Sequence, residues 1–172
     1  EAVDPRALVI GGGGATLPRA WATGPRAARV TSIELDPVVA SVANDRMWAG
    51  QQSRLTTIIG DGRAVMRRLP PAEAFDVILM DAYRTRSVPP HLVTREFAAL
   101  VSPRMPDNGV YLSNVIDRSA TPSLAVSVAT TLSQAFPAVD IWVAGGEQEA
   151  TTNFVVAAWK SPRGAHRPEV ES

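Results

Sequence analysis

The sequence predicts a doubly wound α/β domain on a mostly parallel, seven-stranded sheet whose last strand runs antiparallel. Two observations carry this. Short apolar runs alternate with helical segments along most of the chain, which is the signature of parallel strands joined by crossover helices. The final two runs lie too close together for such a helix, so they must form a hairpin. A length of 172 residues allows one such domain with a sizeable core and leaves little room for a second.

Ala7-Leu8-Val9-Ile10 is an apolar run ended by four glycines, as expected of a buried strand entering a tight turn. Residues 15–23 follow as a helix with Pro18 in its first turn. Arg29 to Glu34 reads as the second strand. Asp36-Pro37 supplies an N-cap and an N1 proline for a helix running to about Trp48. Leu55 to Ile59 is the third strand, Arg63 to Leu69 a short helix and Phe75 to Met80 the fourth strand. Thr94 to Val101 forms a further helix, and Val110 to Val115 a fifth strand after the turn Asp107-Asn108-Gly109. Thr121-Pro122 repeats the cap-and-proline pattern for a helix ending near Phe136-Pro137. Val139 to Val143 and Asn153 to Trp159 close the sheet as the hairpin. Residues 1–160 are therefore expected to form the domain, and 161–172 a loosely ordered tail.

Composition narrows the function. Lys plus Arg and Asp plus Glu number 17 each, so no global positive field exists to draw nucleic acid or anionic lipid. No run approaches the ~20 apolar residues of a membrane helix, and no basic-then-apolar leader opens the chain. Cysteine is absent, which removes disulfides and thiolate chemistry and fits a reducing, cytoplasmic compartment. With His91 and His166 as the sole histidines, no metal site is expected. The chain opens on Glu1 rather than Met and is expected to be part of a longer protein.

In an open parallel sheet, ligands bind beyond the carboxyl ends of the strands where strand order reverses, so the residues just after each strand are the candidates. Gly11, Gly12, Gly13 and Gly14 follow the first strand and let the backbone press against a ligand at a helix N-terminus. Glu34 ends the second strand, where an acid can accept both hydroxyls of a ribose. Asp36 is the competing acid, but its place before Pro37 makes it a cap. Asp61, between Gly60 and Gly62, either takes an adenine amino group or caps the next helix. An ordinary nicotinamide domain would share the glycines and Glu34, but its pattern wants a third glycine where Thr16 stands. Asp81, at the mouth of an apolar strand, must cap local amides or face a cation, because an unpaired carboxylate there is costly to desolvate. Tyr83 is a candidate to line the same pocket. The loop from Arg84 to Leu92, with Pro89-Pro90, is long enough to act as a lid. His91 and Asn114 point to this end of the sheet, His91 being read chiefly as packing at a helix start.

The run from Ala7 to Trp159 resembles the catalytic domain of the spermidine synthase family, the aminopropyltransferases, within the class I S-adenosylmethionine-dependent methyltransferase fold. The resemblance rests on Gly11 to Gly14, Glu34-Leu35-Asp36-Pro37, Gly60-Asp61-Gly62, Asp76 to Asp81 with its proline-bearing loop, and Leu92-Val93-Thr94-Arg95-Glu96-Phe97. It implies decarboxylated S-adenosylmethionine or S-adenosylmethionine as co-substrate and a polyamine as acceptor. Gly11 to Gly14, Glu34, Asp61 and Gly62 would hold the nucleoside, with Asp81 as catalytic aspartate and Tyr83 beside it. Two positions depart from the family pattern: Gly14 replaces the acid of its glycine loop, and Arg84 replaces a second acid after the catalytic one. Arg86 adds further positive charge. Each change disfavours a cationic acceptor, by on the order of 1 kcal/mol or more per pair. A methyltransferase of a small or anionic acceptor met by Arg84 and Arg86 is therefore the alternative enzyme. A non-catalytic dimerising or regulatory domain is the alternative outside catalysis, and a second copy of the chain is a candidate partner.

Overall fold

A computed structural model describes residues 4–84, 87–144 and 150–162. The expected tail lies almost wholly outside the described residues, as does Arg86. The elements follow in the order β1 (Arg6–Ile10), α1 (Thr16–Thr23), β2 (Arg29–Glu34), α2 (Pro37–Arg46), β3 (Leu55–Ile59), α3 (Gly62–Arg68), β4 (Val77–Met80), α4 (Arg95–Val101), β5 (Val110–Arg118), α5 (Ser123–Leu132), β6 (Ala138–Ala144) and β7 (Thr151–Trp159). The seven strands form one sheet in the order β3-β2-β1-β4-β5-β7-β6. Strands β1 to β5 run parallel, and β7 pairs antiparallel with both β5 and β6. The hairpin strand thus inserts between β5 and β6.

Alternation along each strand divides the core between the two faces of the sheet. Leu8 and Ile10 of β1 join Ile33, Ile78, Met80, Phe97, Tyr111, Val115, Val128 and Phe154 on one face. Ala7 and Val9 join Ala22, Val30 and Leu79 on the other. Burial on both faces explains why β1 and β4 read as unbroken apolar runs rather than alternating ones.

Local signals set most boundaries. Asp36 caps α2 by accepting from the Val38 amide at 2.8 Å, with Pro37 at N1. That helix stops at Arg46 rather than Trp48, because Trp48 sits in the left-handed region at φ 58. Thr94 caps α4 through the Phe97 amide. At α5 the expected cap fails: the cap position is Pro122, without a side-chain bond. Instead Asp117, at the end of β5, accepts from Leu124 at 2.7 Å and Ala125 at 3.1 Å. A carboxylate reaching the free amides of a helix start from the preceding strand does the work assigned to Thr121.

Buried Arg104 anchors α3 from the opposite end. Its guanidinium donates to the carbonyls of Met66 at 3.2 Å, Leu69 at 2.9 Å and Pro70, answering acceptors that the end of the helix leaves open. The anchor holds Asp61, the first-turn cap of α3, against the tips of the strands.

Candidate active site

The chain turns from β3 back past β1 to β4, so strand order reverses between β1 and β4, and in such sheets the expected ligand crevice is at their carboxyl ends. Gly11 forms one wall. It has φ +95, and a Cβ there would lie 2.5 Å from the Asp81 carbonyl oxygen and 2.6 Å from the backbone of Ala82. Only glycine lets the loop after β1 touch the chain leaving β4. Its amide and that of Gly12 donate to the Ile33 carbonyl at 2.9 and 3.1 Å, and Gly12 packs so closely on Ser32 of β2 that a side chain would collide with the Ser32 hydroxyl. Gly13 differs. At φ +49 it also sits in the left-handed region, yet nothing lies within 4 Å of where its Cβ would be, so this side of it is open. Gly14 packs against the thioether of Met47.

Glu34 clamps this loop. One carboxylate oxygen accepts from the Gly13 amide at 2.7 Å and the other from the Asp36 amide at 2.9 Å. Each oxygen of an ionised carboxylate has more than one lone-pair direction, so both retain capacity for further donors. The residue is half-buried at the tip of β2.

At the tip of β3, Asp61 takes the capping role first. Its Oδ1 accepts from the Ala64 amide at 2.9 Å, while Oδ2 meets His91 Nε2 at 2.7 Å. Burial pushes the Asp61 carboxyl up, but the Ala64 amide and His91 outweigh it and hold the acid below the usual carboxylate range. Because the folded value is depressed, this adds stability that is present above the ordinary carboxylate pKa of about 3.9 and lost as pH falls through the folded value. Asp61→Asn is therefore expected to flatten the acid limb of a stability profile measured by thermal melting between neutral and strongly acidic pH. Gly62 brings α3 onto β1, since a Cβ there would sit 2.5 Å from Ile10 Cγ2. Arg63 donates to the His91 carbonyl at 3.2 Å, so the segment before α4 is tied to α3 twice. His91 lies in a short 3₁₀ turn, but its side chain is exposed rather than packed, and its partner is Asp61, thirty residues away in sequence.

Asp81 stands opposite. Its amide donates to the Ile10 carbonyl at 2.8 Å, and its Oδ1 accepts from the Asn114 side-chain amide at 2.7 Å. The Tyr83 hydroxyl donates to the Asn114 carbonyl at 2.8 Å. Burial, then the neighbouring Asp81 charge, pushes Tyr83 up to about 12, which keeps it a neutral donor at any physiological pH. Asp81, Tyr83 and Asn114 thus form one hydrogen-bonded unit between the end of β4 and the middle of β5. Arg84 and Ser87 exchange backbone hydrogen bonds at 2.9 and 3.2 Å, and the Arg84 side chain is exposed.

The structure therefore brings Gly11 to Gly14, Glu34, Asp61, Gly62, Asp81 and Tyr83 to one end of the sheet. Among the described residues, no group of three acids or histidines could hold a metal ion, and no helix is long and apolar enough to cross a membrane. Ser32 and Met47, which shape the glycine loop from beneath and beside it, carry no motif that would have marked them. Asn114, expected only as a polar residue at this end of the sheet, lies within β5, which runs on to Arg118.

Sheet order, reversed hairpin strand and glycine loop together define an α/β domain of the class I methyltransferase fold. Within that class, residues 3–161 match the model of the spermine/spermidine synthase domain, and the chain belongs to that family. It is 34% identical over 116 residues to a polyamine aminopropyltransferase from Vibrio vulnificus (strain CMCP6), covering 66% of this chain and 38% of that protein. Its fold is similar to that of a probable spermidine synthase from Corynebacterium glutamicum, with TM-score 0.82, 22% identity and coverage of 98% of this chain and 61% of that one. It is also similar to human methyltransferase-like protein 13, solved in complex with SAH, with TM-score 0.75, 23% identity and coverage of 98% and 87%. The chain spans between 20% and 38% of the length of the curated relatives it matches.

Proposed function

We propose that this domain binds an adenosyl sulfonium, decarboxylated S-adenosylmethionine or S-adenosylmethionine, and that from the decarboxylated form it transfers the aminopropyl group to an amine of a polyamine. The observation that carries the reading is the contact of Gly11 with the Asp81–Ala82 backbone. It sets the backbone of Asp81, whose carboxylate is held by Asn114, directly beside the loop that would hold the donor. The residues present fit such a donor: open space above Gly13, acceptor capacity left on Glu34 for ribose hydroxyls, and Asp61 at the tip of the next strand for the base.

Displacement at a carbon beside a sulfonium chiefly needs alignment and a site polarised against positive charge. The amine nitrogen forms a bond to the aminopropyl carbon, the carbon–sulfur bond breaks, and methylthioadenosine leaves. Asp81, held at Oδ1 by Asn114, keeps Oδ2 to orient the incoming amine and take its proton. A free amine titrates near ~10, so the proton passes to the carboxylate as the nitrogen attacks rather than before. The likeness to the Vibrio aminopropyltransferase supports this reading.

Methyl transfer is the second reading. It is favoured by Gly14 and Met47, which leave the glycine loop without an acid to face an aminopropyl ammonium, and by exposed Arg84. A domain that binds the nucleoside without turnover is the third. Incubation with decarboxylated S-adenosylmethionine or S-adenosylmethionine plus putrescine separates them. Methylthioadenosine with spermidine supports aminopropyl transfer, S-adenosylhomocysteine supports methyl transfer, and neither product points to a binding module.

Glu34→Ala is expected to weaken methylthioadenosine binding by about 1 to 3 kcal/mol if the carboxylate accepts from the ribose hydroxyls. Unchanged affinity in titration calorimetry would remove Glu34 from the nucleoside site.

We further propose that the domain acts in the cytoplasm on small molecules.

A further inference from the structure

We propose that His91 is a positioning residue that sets the base preference of the site: it fixes the Asp61 carboxylate so that Oδ2 accepts from the exocyclic amino group of adenine and rejects a 6-oxo purine. This role rests on the adenosyl reading above and adds to it a residue that a helix cap alone would not need. Oδ1 of Asp61 already caps α3 by accepting from the Ala64 amide at 2.9 Å. The second oxygen is left over, and His91 Nε2 meets it at 2.7 Å.

Local ties bring the imidazole there. Pro89 and Pro90 restrict the backbone entering the 3₁₀ turn Pro90–Leu92. Arg63, in the first turn of α3, donates to the His91 carbonyl at 3.2 Å. Buried Leu92 packs against Gly62, its Cδ2 lying 3.5 Å from where a Cβ would be. Through its own carbonyl and its neighbour Leu92, His91 is therefore anchored to the helix that Asp61 caps.

Fold stability gives this pair only a modest reason to exist. Both side chains are exposed, His91 at 45% and Asp61 at 37%, and a solvent-exposed ion pair adds little to folding. Its consequence is orientation. The Asp61 carboxyl is held below the usual carboxylate range, so it is an acceptor only, and Nε2 carries the proton between the two groups. With Oδ1 on the Ala64 amide and Oδ2 on the imidazole, the carboxylate is not free to rotate. Oδ2 keeps a further lone pair, whereas the Nε2 proton is already committed. An amino group matches that arrangement. A carbonyl oxygen in its place would face a carboxylate oxygen with no hydrogen between them, leaving both without a partner.

Titration calorimetry with methylthioadenosine and with its 6-oxo analogue, methylthioinosine, tests the assignment. The wild-type chain is expected to favour the amino form at least about tenfold. His91→Ala lets the carboxylate turn and should bring the two affinities within about threefold of each other, with the circular dichroism of the fold unchanged. His91→Gln keeps an N–H donor near the position of Nε2 and should restore the preference. A histidine that only packs its turn would lower both affinities by one factor or leave both alone. Either result in His91→Ala overturns the proposal and leaves the adenosyl reading standing, as does a wild-type chain that binds both nucleosides equally. A wild-type chain that binds neither overturns both.

Discussion

Asp81→Asn is expected to cut turnover by about 100-fold to 10,000-fold while leaving methylthioadenosine affinity within about twofold. The amide keeps the shape of the side chain and still accepts a hydrogen bond from Asn114, so the link between β4 and β5 survives. What disappears is the negative charge and the acceptor for the amine proton, both of which matter as the carbon–nitrogen bond forms. Since the nucleoside loop bonds to Ile33 and Glu34 rather than to the Asp81 side chain, product affinity has no reason to move. Release of methylthioadenosine or S-adenosylhomocysteine gives the rate, and calorimetry with methylthioadenosine gives the affinity. An equal collapse of both would reassign Asp81 to holding the fold.

Gly11→Ala is expected to lower folding stability by about 4 kcal/mol and to abolish nucleoside binding. A non-glycine residue in the left-handed half of backbone space costs ~1–2 kcal/mol, and forcing a methyl group into packed backbone adds ~1–3 kcal/mol. The obstacle here is the main chain of Asp81 and Ala82, which cannot rotate away as a side chain would. Gly13→Ala is the informative contrast, because its Cβ would enter open space. It should cost only about 1 kcal/mol of stability yet still impair binding, since the methyl group would occupy the crevice. Urea denaturation of both variants checks the pair, and equal stability losses would contradict the packing described for the loop.

Much of the fold is written in local chemistry. Asp36-Pro37 caps α2 as its sequence dictates, Leu55 to Ile59 is β3, and the short link between the last two strands forces β7 antiparallel. What escaped was set by residues distant in sequence. Asp117 displaces Thr121 as the partner of α5 because a strand end brings a carboxylate to bare helix amides, and no spacing rule announces that. The insertion of β7 between β5 and β6 is likewise a product of packing. At the site, the glycines and acids were legible because each follows a strand, but their partners were not. His91 reaches Asp61, Asn114 holds Asp81, and Met47 fills the space beside Gly14 only once the chain has folded.

The pairing of His91 with Asp61 also shapes the proposed base subsite. Oδ2 of Asp61 is engaged in the free domain, so an adenine amino group must share that oxygen with the imidazole or displace it. The tie between α3 and the segment before α4 then becomes sensitive to whether the subsite is filled.

A crystal of the domain soaked with methylthioadenosine is the direct test. The account predicts the nucleoside across the tips of β1, β2 and β3, its ribose hydroxyls on Glu34, its base near Asp61 and its thioether end toward Asp81. A nucleoside bound elsewhere, or a crevice left empty at saturating ligand with Glu34 still bridging only Gly13 and Asp36, would contradict it.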